Sequence, residues 1–149
     1  MGARREGREL ALKLLYREEI AGLSEPDIPG LDDANPRAVE FAELLVSGVR
    51  ADSERIDAAI SAASEHWDIR RMGAVDRTII RIGAYELLHE PGTPVGAVIS
   101  EAVDAARRFS SEECGRFVNG VLDKIAREAR GATHRGSSGE EDDALRGAE

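Results

Sequence analysis

Three groups of side chains in this sequence have the types and spacing to recognise a ligand. Arg4, Arg5 and Arg8 stand together near the start of the chain, and Tyr16 follows two turns later. At about 100° per residue, Arg5, Arg8, Leu12 and Tyr16 fall along one side of a helix, away from Leu10 and Leu14. Arg4 reaches the same region where the helix frays. Guanidinium groups bind phosphate, and a flat ring gives an unstacked base a surface to lie on. Glu113, Arg116, Phe117 and Asn119 form the second group. Helix N–H groups and Arg116 suit phosphate there, while Phe117 and the neutral Asn119 amide suit a base. Asp76, the third candidate, opens a strongly apolar helix, where an acid also favours the helix dipole without any partner. Plainer readings stand beside these: a solvated basic helix end with a tyrosine at the core boundary, and a core Phe117 next to a capping Glu113.

Covalent and metal chemistry have less to draw on. No paired carboxylates, phosphate loop or nucleophile elbow is visible. Cys114 is the single cysteine and can form no internal disulfide. It sits near a predicted helix N-terminus, where a thiolate is favoured, but no histidine neighbours it in sequence. His66, His89 and His134 are scattered without metal-ligand spacing. The expectation is a protein that is not an enzyme and needs no cofactor or metal.

Helices must position the candidate residues, because no segment alternates with a period of two. Leu10, Ala11, Leu14, Leu15 and Ala21 make a first helical stripe ending near Gly22. Pro26, Pro29 and Pro36 punctuate a long loop, after which Asn35 reads as an N-cap with Pro36 at the first helical position. Phe41, Leu44, Leu45, Gly48 and Val49 form the second apolar face. Ile56, Ala59, Ile60 and Ala63 form the third, and these two helices can be one kinked helix. Asp68 is a plausible cap for a short turn. The segment from Ala74 to His89 is apolar around much of its circumference, which predicts a central helix packed from several sides. Thr93 is the predicted cap of a fifth helix. Ser110 and Glu113 form a predicted capping box for the sixth, which Gly131 closes.

The sequence "RFVNGVLDKI", Arg116 to Ile125, carries a turn signal, Asn119-Gly120, inside a helical stripe. Close approach of another backbone would explain Gly120, although it would not choose Asn119, which lies off the stripe.

The chain has 149 residues, 42% hydrophobic and 4% aromatic, so one core of Ala, Leu, Ile and Val is expected. No apolar run approaches the roughly 20 residues of a membrane span, and no apolar stretch follows the start as in a secretory signal. A cytoplasmic location fits. The formal charge of −9 argues against a nucleic-acid partner when taken alone. It is unevenly spread, however: from Gly131 to Glu149 five acids stand against two arginines. The expected organisation is one helical domain over residues 1–130 and a disordered acidic tail over 131–149.

Four blocks together resemble the NusB family: "RELALKLLY" from Arg8, "VDRTIIRIGAYELL" from Val75, "ISEAVDAARRF" from Ile99 and "FVNGVLDKI" from Phe117. The resemblance implies an all-α fold of two packed three-helix bundles. It further implies binding of boxA RNA in ribosomal RNA leader transcripts together with NusE, a small-subunit ribosomal protein. NusA, NusG and RNA polymerase are the implied partners in a larger antitermination complex. The same fold heads ribosomal RNA methyltransferases, but this chain has neither the length nor a Gly-rich cofactor loop for that branch. By resemblance Arg4, Arg5 and Arg8 contact RNA, with Glu113, Arg116, Phe117 and Asn119 on the same ligand. Tyr16 and Asp76 belong to the NusE interface or its border with RNA. Glu6 and Gly7 interrupt the arginine segment, a departure from the family's denser run. That interruption and the −9 charge suggest a second reading, a helical homo-oligomeric or protein-only interaction module with little RNA binding of its own.

Overall fold

The computed structural model describes residues 2–22, 33–64 and 69–138, with the side chains of 131–138 left aside. Six helices carry the fold in chain order: α1 (Ala3–Ala21), α2 (Pro36–Ala51), α3 (Ser53–Ser64), α4 (Ala74–His89), α5 (Val95–Phe109) and α6 (Glu112–Ser138). All regular structure among the described residues is helical. Asp68 and most of the proline-rich loop lie outside them.

Local chemistry sets most of the boundaries. Gly22 takes the left-handed conformation, φ 72°, and its N–H returns to the Glu18 carbonyl, ending α1 where only glycine sits without strain. Asn35 caps α2 as its sequence predicts, accepting the Arg37 N–H at 2.9 Å, with Pro36 in the first turn. Asp52 alone separates α2 from α3, and the hydrogen bonds Asp52 N–H to Gly48 and Ile56 N–H to Asp52 run on across the break. The pair is close to the single kinked helix expected.

Three expected boundaries fail. Thr93 is buried and does not cap α5; Pro94 occupies that position. Ser111, not Ser110, caps α6, its hydroxyl accepting the Cys114 N–H at 3.0 Å. Glu113 therefore falls one residue short of the capping-box position, and Glu112 pairs instead with Arg107 at 3.1 Å. Gly131 does not close α6, which runs on to Ser138. One glycine costs a helix about 1 kcal/mol, too little by itself to stop it.

Buried side chains follow the predicted stripes in α3, α4, α5 and α6. In α1 Leu12 is buried beside Leu10, Ala11 and Leu15, although its spacing placed it on the side of Arg5 and Tyr16, and Ala21, expected inward, is exposed. In α2 the inward face is Ala38, Ala42, Leu45, Val46 and Val49, so Leu44 turns outward, against expectation. The apolar circumference of α4 has the predicted consequence: α4 touches each of the other five helices. Through it the α1–α3 half and the α4–α6 half share one core, with α3 lying mainly against α4 and α6.

Glycine permits two of the closest crossings. A Cβ on Gly7 would stand 2.8 Å from the Ala38 carbonyl oxygen, and one on Gly83 would stand 2.7 Å from the Leu122 side chain. Gly7 therefore interrupts the arginine segment because α2 crosses α1 there. Gly120 behaves otherwise. It is exposed, and nothing lies within 4 Å of the place its Cβ would take. Internal close packing does not explain this residue, which weakens the helix by about 1 kcal/mol relative to alanine.

Candidate nucleic-acid interface

The three arginines of α1 are placed in three different environments. Arg4 is exposed, lies over the Phe41 ring at 4.4 Å and donates to the Thr93 hydroxyl at 3.0 Å. A groove of about 610 Å³ opens beside it, lined by Arg4, Arg37, Phe41 and Leu44 together with Glu40 and Glu90. Two cations there face two acids, so the groove offers shape without net charge. Arg5 is part of a surface network on α5, bonded to Asp104 at 2.5 Å and within 3.8 Å of Glu101. Arg8 is held bidentately by Glu86, with both N···O distances 2.8 Å.

Magnitudes decide which of these can serve a phosphate. An exposed ion pair is worth about 0–1 kcal/mol, so Arg5 can exchange Asp104 for phosphate with little loss. The Glu86 carboxylate is 1% exposed. Taking its partner away would strand a buried charge, a penalty of about 3–5 kcal/mol. Arg8 is thus a structural anchor for α1, less available to a phosphate than Arg4 or Arg5.

The first turns of α6 display the second group. Glu113, Arg116 and Asn119 are exposed, and Phe117 is half-buried against the core. Arg116 makes no ion pair with a described residue. A free guanidinium, a neutral amide and a ring edge within two turns can meet phosphate, base edge and base face.

Tyr16 and Ile20, one turn apart on α1, are both exposed. Glu19 on the same helix pairs with Arg77 in α4, which brings Tyr16 to the end of the molecule where Asp76 lies. Asp76 is half-buried and meets the Cys114 thiol of α6. One end of the molecule therefore gathers Tyr16, Asp76 and the start of α6, while Arg4 sits roughly 18 Å away along α1. No group of three or more His, Cys, Asp and Glu side chains among the described residues is arranged to hold a metal.

Cys114 departs from its expected thiolate character. Burial pushes its thiol up to about 11, and the Asp76 carboxylate adds to the effect by hydrogen bond and charge, while Ser110 opposes it. These outweigh the helix N-terminus. Alkylation of the native protein by iodoacetamide at pH 8 should therefore be much slower than alkylation in denaturant. The folded thiol holds its proton above the ordinary value of about 8.5. Its contribution to stability is therefore complete below that pH and is lost as pH rises towards about 11. Equal alkylation rates in the native and denatured protein would contradict this placement.

Sequence reasoning missed two residues that hold the interface in shape, Glu86 and Arg130. Glu86 carried a usable signal, since an acid inside an otherwise apolar helix must find a cation. Arg130, near the end of the expected domain, carried none. Its guanidinium donates to the carbonyls of Glu86, Leu87, Glu90 and Thr93 at 2.5–3.1 Å. It satisfies the C-terminal end of α4 from another helix.

A six-helix all-α protein with two halves joined through α4, and with its candidate contacts on exposed helix faces, is the class this architecture defines. The chain belongs to the NusB family, whose model matches residues 5–127. It is 43% identical over 130 residues to the transcription antitermination protein NusB of Sorangium cellulosum, covering 85% of this chain and 93% of that protein. The Geobacter sulfurreducens NusB is 45% identical over 131 residues, with 85% and 95% covered. Among solved structures, T. maritima NusB superposes with a TM-score of 0.75 at 33% identity, covering 84% of this chain and 91% of its own. A structure of the antitermination factors NusB and NusE in complex with double-stranded RNA matches with a TM-score of 0.72 at 31% identity, covering 85% and 97%.

Proposed function

We propose that this protein is a transcription antitermination factor that binds boxA RNA of ribosomal RNA leader transcripts together with NusE. It acts by binding alone, without catalysis, in the cytoplasm. Within the larger complex it joins NusA, NusG and RNA polymerase and keeps ribosomal RNA transcription processive. The observation that carries this reading is the exposed start of α6, where Arg116, Asn119 and Phe117 stand side by side. A fold-mate carrying NusE and RNA supports it. In this assignment Arg4, Arg5 and Arg116 meet phosphates, Phe117 and Asn119 meet a base, and Glu113 moderates affinity. Tyr16 and Asp76 border NusE, and the exposed Ile20 extends their surface.

The test is a titration of boxA RNA with the protein alone, with NusE alone and with both, at several salt concentrations. The pair is expected to bind more tightly than either protein. Asn119→Ala should narrow the preference for boxA over a scrambled RNA without changing the salt slope, because a neutral amide displaces no counterions. Arg5→Ala should weaken both RNAs alike and lower the salt slope by about one. Absence of boxA binding in every combination would refute the proposal.

A further inference from the structure

Glycine inside a helix usually answers one of three needs, and Gly120 answers none of them. It does not end the helix, since α6 continues to Ser138. It does not take a left-handed conformation; among the described glycines only Gly22 does. No neighbour would be struck by a Cβ, in contrast to Gly7 and Gly83, where contacts fall under 3 Å. The residue is exposed, in mid-helix, where alanine would be the stronger helix former. What a missing Cβ provides there is bare backbone facing outward.

The surroundings give that backbone a chemistry. At about 100° per residue Arg116, Asn119, Gly120, Asp123 and Arg127 share one face of α6. Arg116 and Arg127 stand on either side of Gly120, roughly 16 Å apart along the axis. Arg127 neutralises Asp123 by an ion pair, which leaves Arg116 unmatched and Asn119 free to donate and accept. Glu113, a turn before Arg116, is the remaining exposed acid on this face. The helix continues to Arg130, which binds the Thr93 carbonyl, and the Thr93 hydroxyl binds Arg4. The face therefore leads from the Asp76 end of the molecule towards the end that carries Arg4.

We propose that Gly120 is a seat for the RNA backbone: the absent side chain lets ribose and phosphate lie against α6 between Arg116 and Arg127, which positions a base at Asn119. This extends the RNA-binding reading above and rests on it. It also supplies a reason for the Asn119-Gly120 pair within a helix, since the amide reads what the glycine lets approach.

The test sets stability against binding. Gly120→Ala and Gly120→Leu are melted and then titrated with boxA RNA in the presence of NusE, with NusE binding measured separately. Gly96→Ala is the control, another exposed helical glycine with nothing within 4 Å. Gly120→Ala is expected to raise the melting temperature by roughly 2–4 °C and yet weaken RNA binding. Gly120→Leu should weaken it by about tenfold or more, as a side chain forced into a filled contact does. NusE binding should stay unchanged in both, and Gly96→Ala should leave RNA binding unchanged. Wild-type RNA affinity in Gly120→Leu would overturn the inference while leaving the antitermination reading intact. A loss confined to NusE binding would overturn it too, by making the face a protein contact. Failure of the wild-type complex to bind boxA would overturn both.

Discussion

Arg8→Ala is expected to lower the stability of the fold by about 3–5 kcal/mol, a large fraction of the roughly 5–15 kcal/mol of a typical domain. The Glu86 carboxylate is 1% exposed and both of its oxygens are bound by Arg8. Removing the guanidinium takes the cation away from a buried carboxylate. The reverse change should be milder: in Glu86→Leu the long Arg8 side chain can turn its head outwards while its stem stays packed. Replacing both, as Arg8→Met with Glu86→Leu, should recover most of the loss, because an apolar pair of similar volume restores contact without desolvating charge. Urea titrations of the two single variants and the double variant decide the matter. A loss under about 1 kcal/mol for Arg8→Ala would place the pair among ordinary surface bridges.

Arg130→Ala is expected to cost on the order of 3 kcal/mol, because four carbonyl acceptors lose a charged donor at once. That corresponds to a fall in melting temperature of roughly 10 °C for a domain of this size. Arg130→Lys should recover little, since an ammonium cannot span four carbonyls with a planar fork. The same contact sharpens a truncation experiment. Removing residues 131–149, the expected acidic tail, should leave melting nearly unchanged. Removing Arg130 as well should reproduce the loss of the point variant. Equal melting temperatures for chains ending at Ala129 and at Arg130 would show that Arg130 contributes nothing.

The two anchors bear on function through position. Arg8 fixes α1 on α4, which sets Arg4 beside the Phe41 groove and Arg5 against α5. Arg130 ties the end of α6 to the turn holding Thr93, on which Arg4 also rests. Destabilised variants should therefore lose RNA affinity only as folding is lost, whereas Asn119→Ala and the Gly120 variants should lose it with the fold intact.

The sequence by itself determined the six helices, the inward residues of most of them and the central place of α4. Apolar periodicity is a local record of burial, and a helix apolar all round can be satisfied only in the middle. It also determined the surface character of Arg116 and Asn119, since both lie off the buried stripe of α6. Caps were legible to within one residue, as at Ser110 and Ser111, because adjacent hydroxyls compete for the same N–H groups and tertiary packing chooses between them. Only the tertiary structure decided what the arginines do. Arg8 and Arg5 sit one turn apart with the same local pattern, yet one meets a buried acid 78 residues away and the other an exposed network. It decided Gly120 as well, because whether a missing Cβ serves an internal crossing or an open surface depends on what stands opposite. Helical spacing says which side a residue faces; it does not say what waits there.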